Sequence, residues 1–189
     1  MKIQIKNKTR EYDGFLKLEK ATLQFEKFAG GMSAEVSREA VHRGDSAAVL
    51  LYDPARRLVL FIKQFRYPVY TAEPENAWLL EIVAGSVESE EEPTETLIRE
   101  IAEESGLTID LQGIQYIGRF FPSPGGLSER IFLYAAPADL SAIQSHGGAV
   151  DDQPGTHIGD VFPRLQTIGA QRIAGIDDIH NLVRQIHDG

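Results

Sequence analysis

Short apolar runs of the kind found in β-strands recur along this chain, and they restrict its possible folds more than any other feature. Such runs lie at 47–52, 58–62, 78–83, 114–118 and 130–135. The turn residues Asp-Pro-Ala-Arg at 53–56 separate the first two runs and predict a β-hairpin. We expect the third run to be one strand that ends at Ala84-Gly85.

Helical patterns are fewer and lie between the strands. Apolar residues at 3.6-residue spacing predict a helix over 93–105, with Pro93 in its first turn and Gly106 as its stop. An apolar stripe predicts a C-terminal helix over 176–186, and a weaker pattern predicts another over 164–171. Because strands outnumber the interspersed helices, the sequence predicts an α+β fold, a mixed β-sheet sandwiched by helices.

The first forty residues predict a small antiparallel β-sheet of their own. Asp13-Gly14 and Gly30-Gly31 mark turns within this stretch. Short strands are expected around 3–5, 15–18 and 22–25. Three such strands bury little surface by themselves, so we expect the sheet to pack against something else. The chain is therefore divided into an N-terminal β-sheet segment, 1–40, and a main domain, 41–189.

The charge balance restricts the partners of this protein. Its 189 residues include 19 lysines and arginines and 28 aspartates and glutamates, a formal net charge of −9. A field of that sign repels a nucleic-acid backbone, so we expect no nucleic-acid partner. A small phosphorylated ligand requires local arginines or divalent cations that invert the sign.

Three further observations bear on the location of the protein. No apolar run approaches the ~18 residues that cross a bilayer, and no signal peptide is visible. The chain contains no cysteine, which fits a reducing compartment. We therefore expect a cytoplasmic protein with no membrane partner.

Three glutamates lie on one face of the predicted central helix. Glu100, Glu103 and Glu104 stand at positions i, i+3 and i+4, where like charges repel each other. A solvated acidic surface is one interpretation of this face. The other is a divalent cation such as Mg²⁺, which takes carboxylate oxygens and removes the repulsion.

The wider string around this helix, 85–107, favours the cation. Its fixed positions, in order, are Gly85, Glu91, Arg99-Glu100-Ile101, Glu103-Glu104 and Gly106-Leu107. Five residues separate the first two positions, and seven separate Glu91 from Arg99. This string resembles the signature of the Nudix hydrolases at every fixed position, and the resemblance implies the Nudix fold.

The resemblance also implies roles for the residues of the string. Glu100 and Glu104 are expected to be metal ligands, and Glu103 a further ligand or a base that orients water. The main-chain carbonyl of Ala84 is expected near the metal, which is expected to be Mg²⁺ with Mn²⁺ as a substitute. Arg99 and Glu91 are expected to form an ion pair between helix and loop.

The flanking segments resemble one branch of that family, the ADP-ribose pyrophosphatases and GDP-mannose hydrolases. They are the stretch 62–68, the loop 121–130, and a proline 15 residues beyond Leu107. The resemblance implies that Arg66 contacts phosphate through its guanidinium. It places Glu81 and Glu129 near the cleft as ligand-binding or supporting groups, and it gives the loop around Gly125 a backbone approach to the ligand.

The implied activity is Mg²⁺-dependent hydrolysis of the pyrophosphate bond of a nucleoside diphosphate sugar. ADP-ribose, cleaved to AMP and ribose 5-phosphate, is the leading substrate, and GDP-mannose or another nucleotide sugar is the alternative. A nucleotide-sugar sensor without catalysis is an alternative of a different class. The branch also implies a homodimer that exchanges the N-terminal segment 1–40.

One departure from the branch concerns the catalytic base. Members usually carry an acidic loop after the last sheet strands, whereas this chain has Asp151-Asp152-Gln153. Glutamine orients a water but cannot accept its proton. Asp152 is one candidate for the base, Asp151 another, and Glu103 a third.

Overall fold

The structure is a computed structural model that describes residues 1–143. The chain forms two compact units. Unit 1 comprises Met1–Asp45 and Phe120–Ile131, and unit 2 comprises Ser46–Arg119 and the described residues from Phe132 onward. No helix among these described residues is long and apolar enough to span a membrane.

Unit 1 contains a three-stranded antiparallel sheet in the order β1-β2-β3. Its strands are β1 (Ile3–Asp13), β2 (Lys17–Phe25) and β3 (Val36–His42). The small N-terminal sheet is thus present, and the predicted turns are confirmed, since Asp13-Gly14 lies between β1 and β2 and Gly30-Gly31 between β2 and β3. The two separate strands expected at 15–18 and 22–25 were wrong. Residues 17–25 form one strand because every one of them pairs with a residue of β1, and Glu19 also pairs with Lys8 at 2.8 Å. The third strand comes from 36–42 instead.

Unit 2 is built on a five-stranded sheet with β4 at its centre. The five strands are β4 (Ser46–Asp53), β5 (Leu58–Val59), β8 (Val83–Ser86), β9 (Gln115–Phe120) and β10 (Ile131–Pro137). The predicted hairpin is confirmed, since Tyr52 pairs with Val59 and Asp53 with Leu58 in antiparallel register. The Asp53 carboxylate accepts a 2.8 Å hydrogen bond from the Arg56 main-chain N–H and closes this turn.

A separate two-stranded antiparallel sheet also belongs to unit 2. It consists of β6 (Ile62–Phe65) and β7 (Trp78–Glu81). The predicted strand over 78–83 is therefore divided at Ile82, and its second part continues through Gly85 to Ser86 in the other sheet. Continuous apolar character does not show where a chain changes sheets, because both parts carry apolar residues although only Val83 of the second part is buried.

The described residues of unit 2 contain two α-helices, α1 (Tyr67–Ala72) and α2 (Pro93–Ser105). The bounds predicted for α2 are confirmed, and Gly106 ends it in the left-handed conformation with φ of 69°. Helix α1 was not predicted, and it buries none of its residues. The predicted helices 164–171 and 176–186 lie outside the described residues.

The core of unit 2 lies between α2 and the central sheet. Leu97 and Ile101 of α2 are fully buried against it. The sheet side contributes Ala47, Val49, Leu51, Val83, Tyr134 and Ala136. This packing fixes the face of α2 that carries Glu100 and Glu104 beside strand β8, and it agrees with the predicted α+β class.

Candidate active site

Gly85 allows the helix α2 to approach strand β8 closely. It lies opposite Ala47 in the register of β8 with β4. A Cβ atom at Gly85 would overlap the side chain of Glu100. Because Gly85 has no side chain, the Glu100 carboxylate fits into the space beside its Cα atom.

Glu104 is a buried carboxylate with an unusual environment. It is 8% exposed, and a backbone hydrogen bond from Ala84 reaches its carboxylate. Its Oε2 atom is buried and has no hydrogen-bond partner among the described residues. Burial, and then the charge of Glu100, raise the pKa of Glu104 to about 8, against the lowering effects of the Ala84 hydrogen bond and of Arg66.

Arg99 connects three of the acidic side chains around α2. It forms the predicted ion pair with Glu91, at 3.3 Å between Nη2 and Oε2. Its Nη1 also lies 2.7 Å from Glu100 Oε1 and 3.7 Å from Glu103 Oε2. The sequence analysis missed these last two contacts, although the i,i+4 spacing of Arg99 and Glu103 was a signal for one of them.

The two other carboxylates of the acidic face differ in burial. The Glu100 side chain is 13% exposed, whereas that of Glu103 is 43% exposed. Burial raises the pKa of Glu100, and the neighbouring Arg99 opposes this shift. Glu103 is therefore a solvent-facing group at the edge of the cluster.

Two features of these side chains bear on whether they fit a divalent cation. Among residues 1–143, no three acidic or histidine side chains already converge as a metal-binding group. Glu104 Oε2, which has no hydrogen-bond partner among these residues, and Glu100, which packs against Gly85, nevertheless fit a cation. Burying a carboxylate without a partner costs free energy, and a bound cation would remove that cost. Glu100 would have to exchange its bond with Arg99 for the ion.

Arg66 and Glu81 form an ion pair next to Glu104. Arg66 donates from Nε to Glu81 Oε1 at 2.8 Å and from Nη2 to Oε2 at 2.5 Å. The charges of both residues act on the pKa of Glu104, Arg66 lowering it and Glu81 raising it. Unit 2 thus brings together Arg66, Glu81, Ala84, Glu100 and Glu104, with Glu103 at the rim.

The remaining predicted residues are not among the described residues of unit 2. Gly125 and Glu129 belong to unit 1, where Gly125 helps to line a groove with residues of β2 and β3. Glu129 is 5% exposed, and its Oε1 lies 3.3 Å from Nη1 of Arg43. Asp152 lies outside the described residues.

Comparison with known proteins identifies the class to which this fold and site belong. The NUDIX domain model matches residues 42–162. The chain therefore belongs to the NUDIX domain family and is a pyrophosphohydrolase of that family.

Relatives with assigned names include two bacterial pyrophosphatases. The chain is 35% identical to the ADP-ribose pyrophosphatase of Haemophilus influenzae, over 80% of this chain and 70% of that protein. It is 33% identical to the GDP-mannose pyrophosphatase of Pectobacterium atrosepticum, over 80% of this chain and 76% of that protein. Other ADP-ribose pyrophosphatases match over 66% of their own length.

A solved structure shares the fold. It is described as an ADP compounds hydrolase, with a TM-score of 0.57 and 15% identity over 86% of this chain and 79% of that one. The similarity supports the fold alone.

Proposed function

We propose that this protein hydrolyses the pyrophosphate bond of a nucleoside diphosphate sugar with the help of Mg²⁺, and that ADP-ribose is its substrate. The observation that carries the proposal is the buried Glu104 carboxylate, whose Oε2 has no hydrogen-bond partner within residues 1–143. It lies near Glu100, whose side chain occupies the space beside Gly85. The names of the two bacterial relatives support the substrate class.

In this proposal the acidic cluster holds the cation. Glu100, Glu104 and the main-chain carbonyl of Ala84 are the ligands, and Glu103 is either a further ligand or the base. A bound divalent ion supplies polarisation of the pyrophosphate and lowers the pKa of the attacking water. Mn²⁺ is expected to substitute for Mg²⁺, because both prefer oxygen ligands.

The other residues bind the substrate and accept the proton. Arg66 contacts the diphosphate, because a guanidinium presents two parallel N–H donors to phosphate oxygens. Glu129 and the loop at Gly125 are proposed to contact the rest of the nucleotide sugar. The base that accepts the proton of water is Asp152 or the solvent-facing Glu103.

A substrate panel tests the proposal. The protein is incubated with ADP-ribose, GDP-mannose and ADP-glucose, each with Mg²⁺ or Mn²⁺, and the products are separated by chromatography. We expect equal amounts of AMP and ribose 5-phosphate from ADP-ribose and slower cleavage of the other sugars. Faster cleavage of GDP-mannose would reassign the substrate, and no cleavage of any member would refute the proposed activity.

We further propose a cytoplasmic homodimer in which the segment 1–40 is exchanged between subunits. The strand β1 supports the exchange, because Ile3 and Ile5 are 64% and 60% exposed in the single chain. The absence of cysteine supports a cytoplasmic location, because the cytoplasm is a reducing compartment in which disulfides are rare. Light scattering after gel filtration is expected to give twice the 21.0 kDa mass of the chain, and a monomer mass would contradict the dimer.

A further inference from the structure

The ion pair between Arg66 and Glu81 has a geometry that fixes the guanidinium. Two hydrogen bonds run in parallel from Nε and Nη2 of Arg66 to the two carboxylate oxygens of Glu81, at 2.8 and 2.5 Å. One such bond restrains a distance, whereas two restrain both the position and the plane of the donor group.

The local strand geometry explains how these residues meet. Strand β6 pairs with β7 so that Ile62 lies opposite Glu81 and Gln64 opposite Leu79. Arg66 continues this strand conformation, with φ of −122° and ψ of 105°. Alternation therefore places Arg66 on the same face as the buried Ile62 and Gln64, and its side chain runs along that face to Glu81.

The pair is next to the acidic cluster. Both charges act on Glu104, and the guanidinium side chain remains 41% exposed while Glu81 is 24% exposed. An arginine that must be ordered when a ligand binds costs conformational entropy, and a partner that orders it beforehand removes that cost.

We propose that Glu81 is a positioning residue, which acts on the diphosphate through Arg66 by holding its guanidinium in the binding orientation. The inference rests on the proposed function, in which Arg66 contacts phosphate. It assigns Glu81 no contact with the substrate and no place among the metal ligands.

Two substitutions of Glu81 separate the effect of its charge from the effect of its side-chain length. Glu81→Asp keeps the charge but is one methylene shorter, so it loses the double hydrogen bond. Glu81→Gln keeps the length but loses the charge and one acceptor. We expect each to raise KM for ADP-ribose about tenfold, with kcat changed less than about threefold, because binding geometry is lost while the chemistry is retained.

A double-mutant cycle tests whether Glu81 acts through Arg66. Once Arg66→Ala is present, Glu81→Asp and Glu81→Gln are expected to cause no further rise in KM. The control is Asp139→Asn in the same unit, which removes a carboxylate 2.8 Å from Nη1 of Arg56 and changes the net charge as Glu81→Gln does. It is expected to leave KM and kcat at wild-type values.

Several results would overturn the inference. Wild-type KM for Glu81→Asp would show that the charge alone matters. An additional effect of Glu81→Gln in the Arg66→Ala background would indicate direct contact with the ligand. A fall in kcat of about a hundredfold or more would place Glu81 among the metal ligands or the bases.

Binding of inorganic pyrophosphate keeps this test separate from the activity. Calorimetry with Mg²⁺ present is expected to show about tenfold weaker binding for both Glu81 variants than for the wild type and Asp139→Asn. If the wild type cleaves no nucleotide sugar yet the Glu81 variants bind pyrophosphate more weakly, the proposed activity fails and the positioning role stands. Equal pyrophosphate affinity in all four proteins would refute the positioning role itself.

Discussion

At the scale of single residues, the buried Glu104 carboxylate links folding stability to the proposed metal chemistry. Its raised pKa means that folding favours its protonated form, so its burial destabilises the ionised, metal-free protein increasingly as pH rises from 4.5 toward about 8. The same unpartnered oxygen that causes this cost is the one proposed to receive the cation. Stability and metal binding are therefore opposed at this residue.

Glu104→Gln is expected to stabilise the metal-free protein at alkaline pH and to abolish activity. The uncharged amide removes the cost of ionisation, and we expect a gain of roughly 1 to 3 kcal/mol after allowing for its own unpaired donors. Thermal melts in chelator above about pH 8 measure the gain, and a nucleotide-sugar assay should show at least about a hundredfold loss of kcat.

Glu103→Gln is the matched control for this stability measurement. It changes the net charge equally on the same helix, but its side chain is 43% exposed and has no buried charge to relieve. We expect no stabilisation. A melting temperature for Glu104→Gln that equals the wild type at alkaline pH would contradict the proposed cost of ionisation.

Gly85→Ala is expected to separate folding from activity. The new Cβ would meet the flexible side chain of Glu100 rather than main chain, so the carboxylate moves and the fold remains. We expect an activity loss of about a hundredfold with a melting temperature within a few degrees of wild type. Gly118→Ala in β9, where a Cβ meets no atom within 4 Å, is the control. Full activity of Gly85→Ala would show that Glu100 does not need this space.

At the scale of the elements, helix α2 depends on its ends as well as on its buried face. Its first turn carries a reciprocal capping box, in which Glu92 accepts from the main chain of Glu95 and the Glu95 side chain accepts from the main chain of Glu92. Its last turn ends at Gly106, whose φ of 69° disfavours any residue with a Cβ atom. Both ends fix the register of the acidic face against β8.

Gly106→Ala is expected to destabilise the protein by about 1 kcal/mol through backbone strain alone. A Cβ at this position meets no atom within 4 Å, so no steric clash contributes. For a chain of this size the melting temperature should fall by about 2 to 4 °C. Gly106→Asn should recover much of the loss, because asparagine tolerates the left-handed conformation. Equal losses for the two variants would show that the conformation of the stop residue is not the cause.

The elements differ in how far the sequence alone predicts them. The bounds of α2 were predicted because Pro93 and Gly106 are local signals at its two ends. The sheet change at Ile82 was not, because both sides of it carry apolar residues. Helix α1 was missed because a six-residue helix without buried side chains leaves no periodic pattern.

The site shows the same division between local and long-range information. Spacing along one helix was enough to predict that Glu100 and Glu104 share a face, and the resemblance to the Nudix signature implied that Ala84 lies near them. The pairing of Arg66 with Glu81 across 15 residues depends on the register of β6 with β7, which no local pattern encodes. The contacts of Arg99 with Glu100 and Glu103 depend on side-chain rotamers, which the spacing of residues along the sequence does not determine.

At the scale of the whole molecule, a protein with a net charge of −9 is proposed to accept an acidic substrate. The described part of unit 2 places Arg66 beside Glu104, but one arginine offsets only part of the local negative charge. Bound divalent cations supply the remaining positive charge in this proposal. Folding stability and cation binding should consequently respond to pH together.

Mg²⁺ is expected to stabilise the protein more at about pH 8.5 than at about pH 6.5, because a proton competes with the cation for Glu104 below its pKa. The measurement is the rise in melting temperature with added Mg²⁺ at the two pH values. In Glu104→Gln the pH dependence of that rise should disappear. An equal rise at both pH values in the wild type would contradict the assignment of Glu104 as the titrating ligand.

The change of sheet at Ile82 has a consequence for engineering. One residue separates the strand that anchors Arg66 from the strand that faces the acidic helix. Insertion of a single glycine beside Ile82 should therefore displace the Arg66–Glu81 pair from the acidic helix while leaving every proposed metal ligand in place. The distance between the diphosphate-binding arginine and the cation site thus becomes adjustable at a single position of the chain.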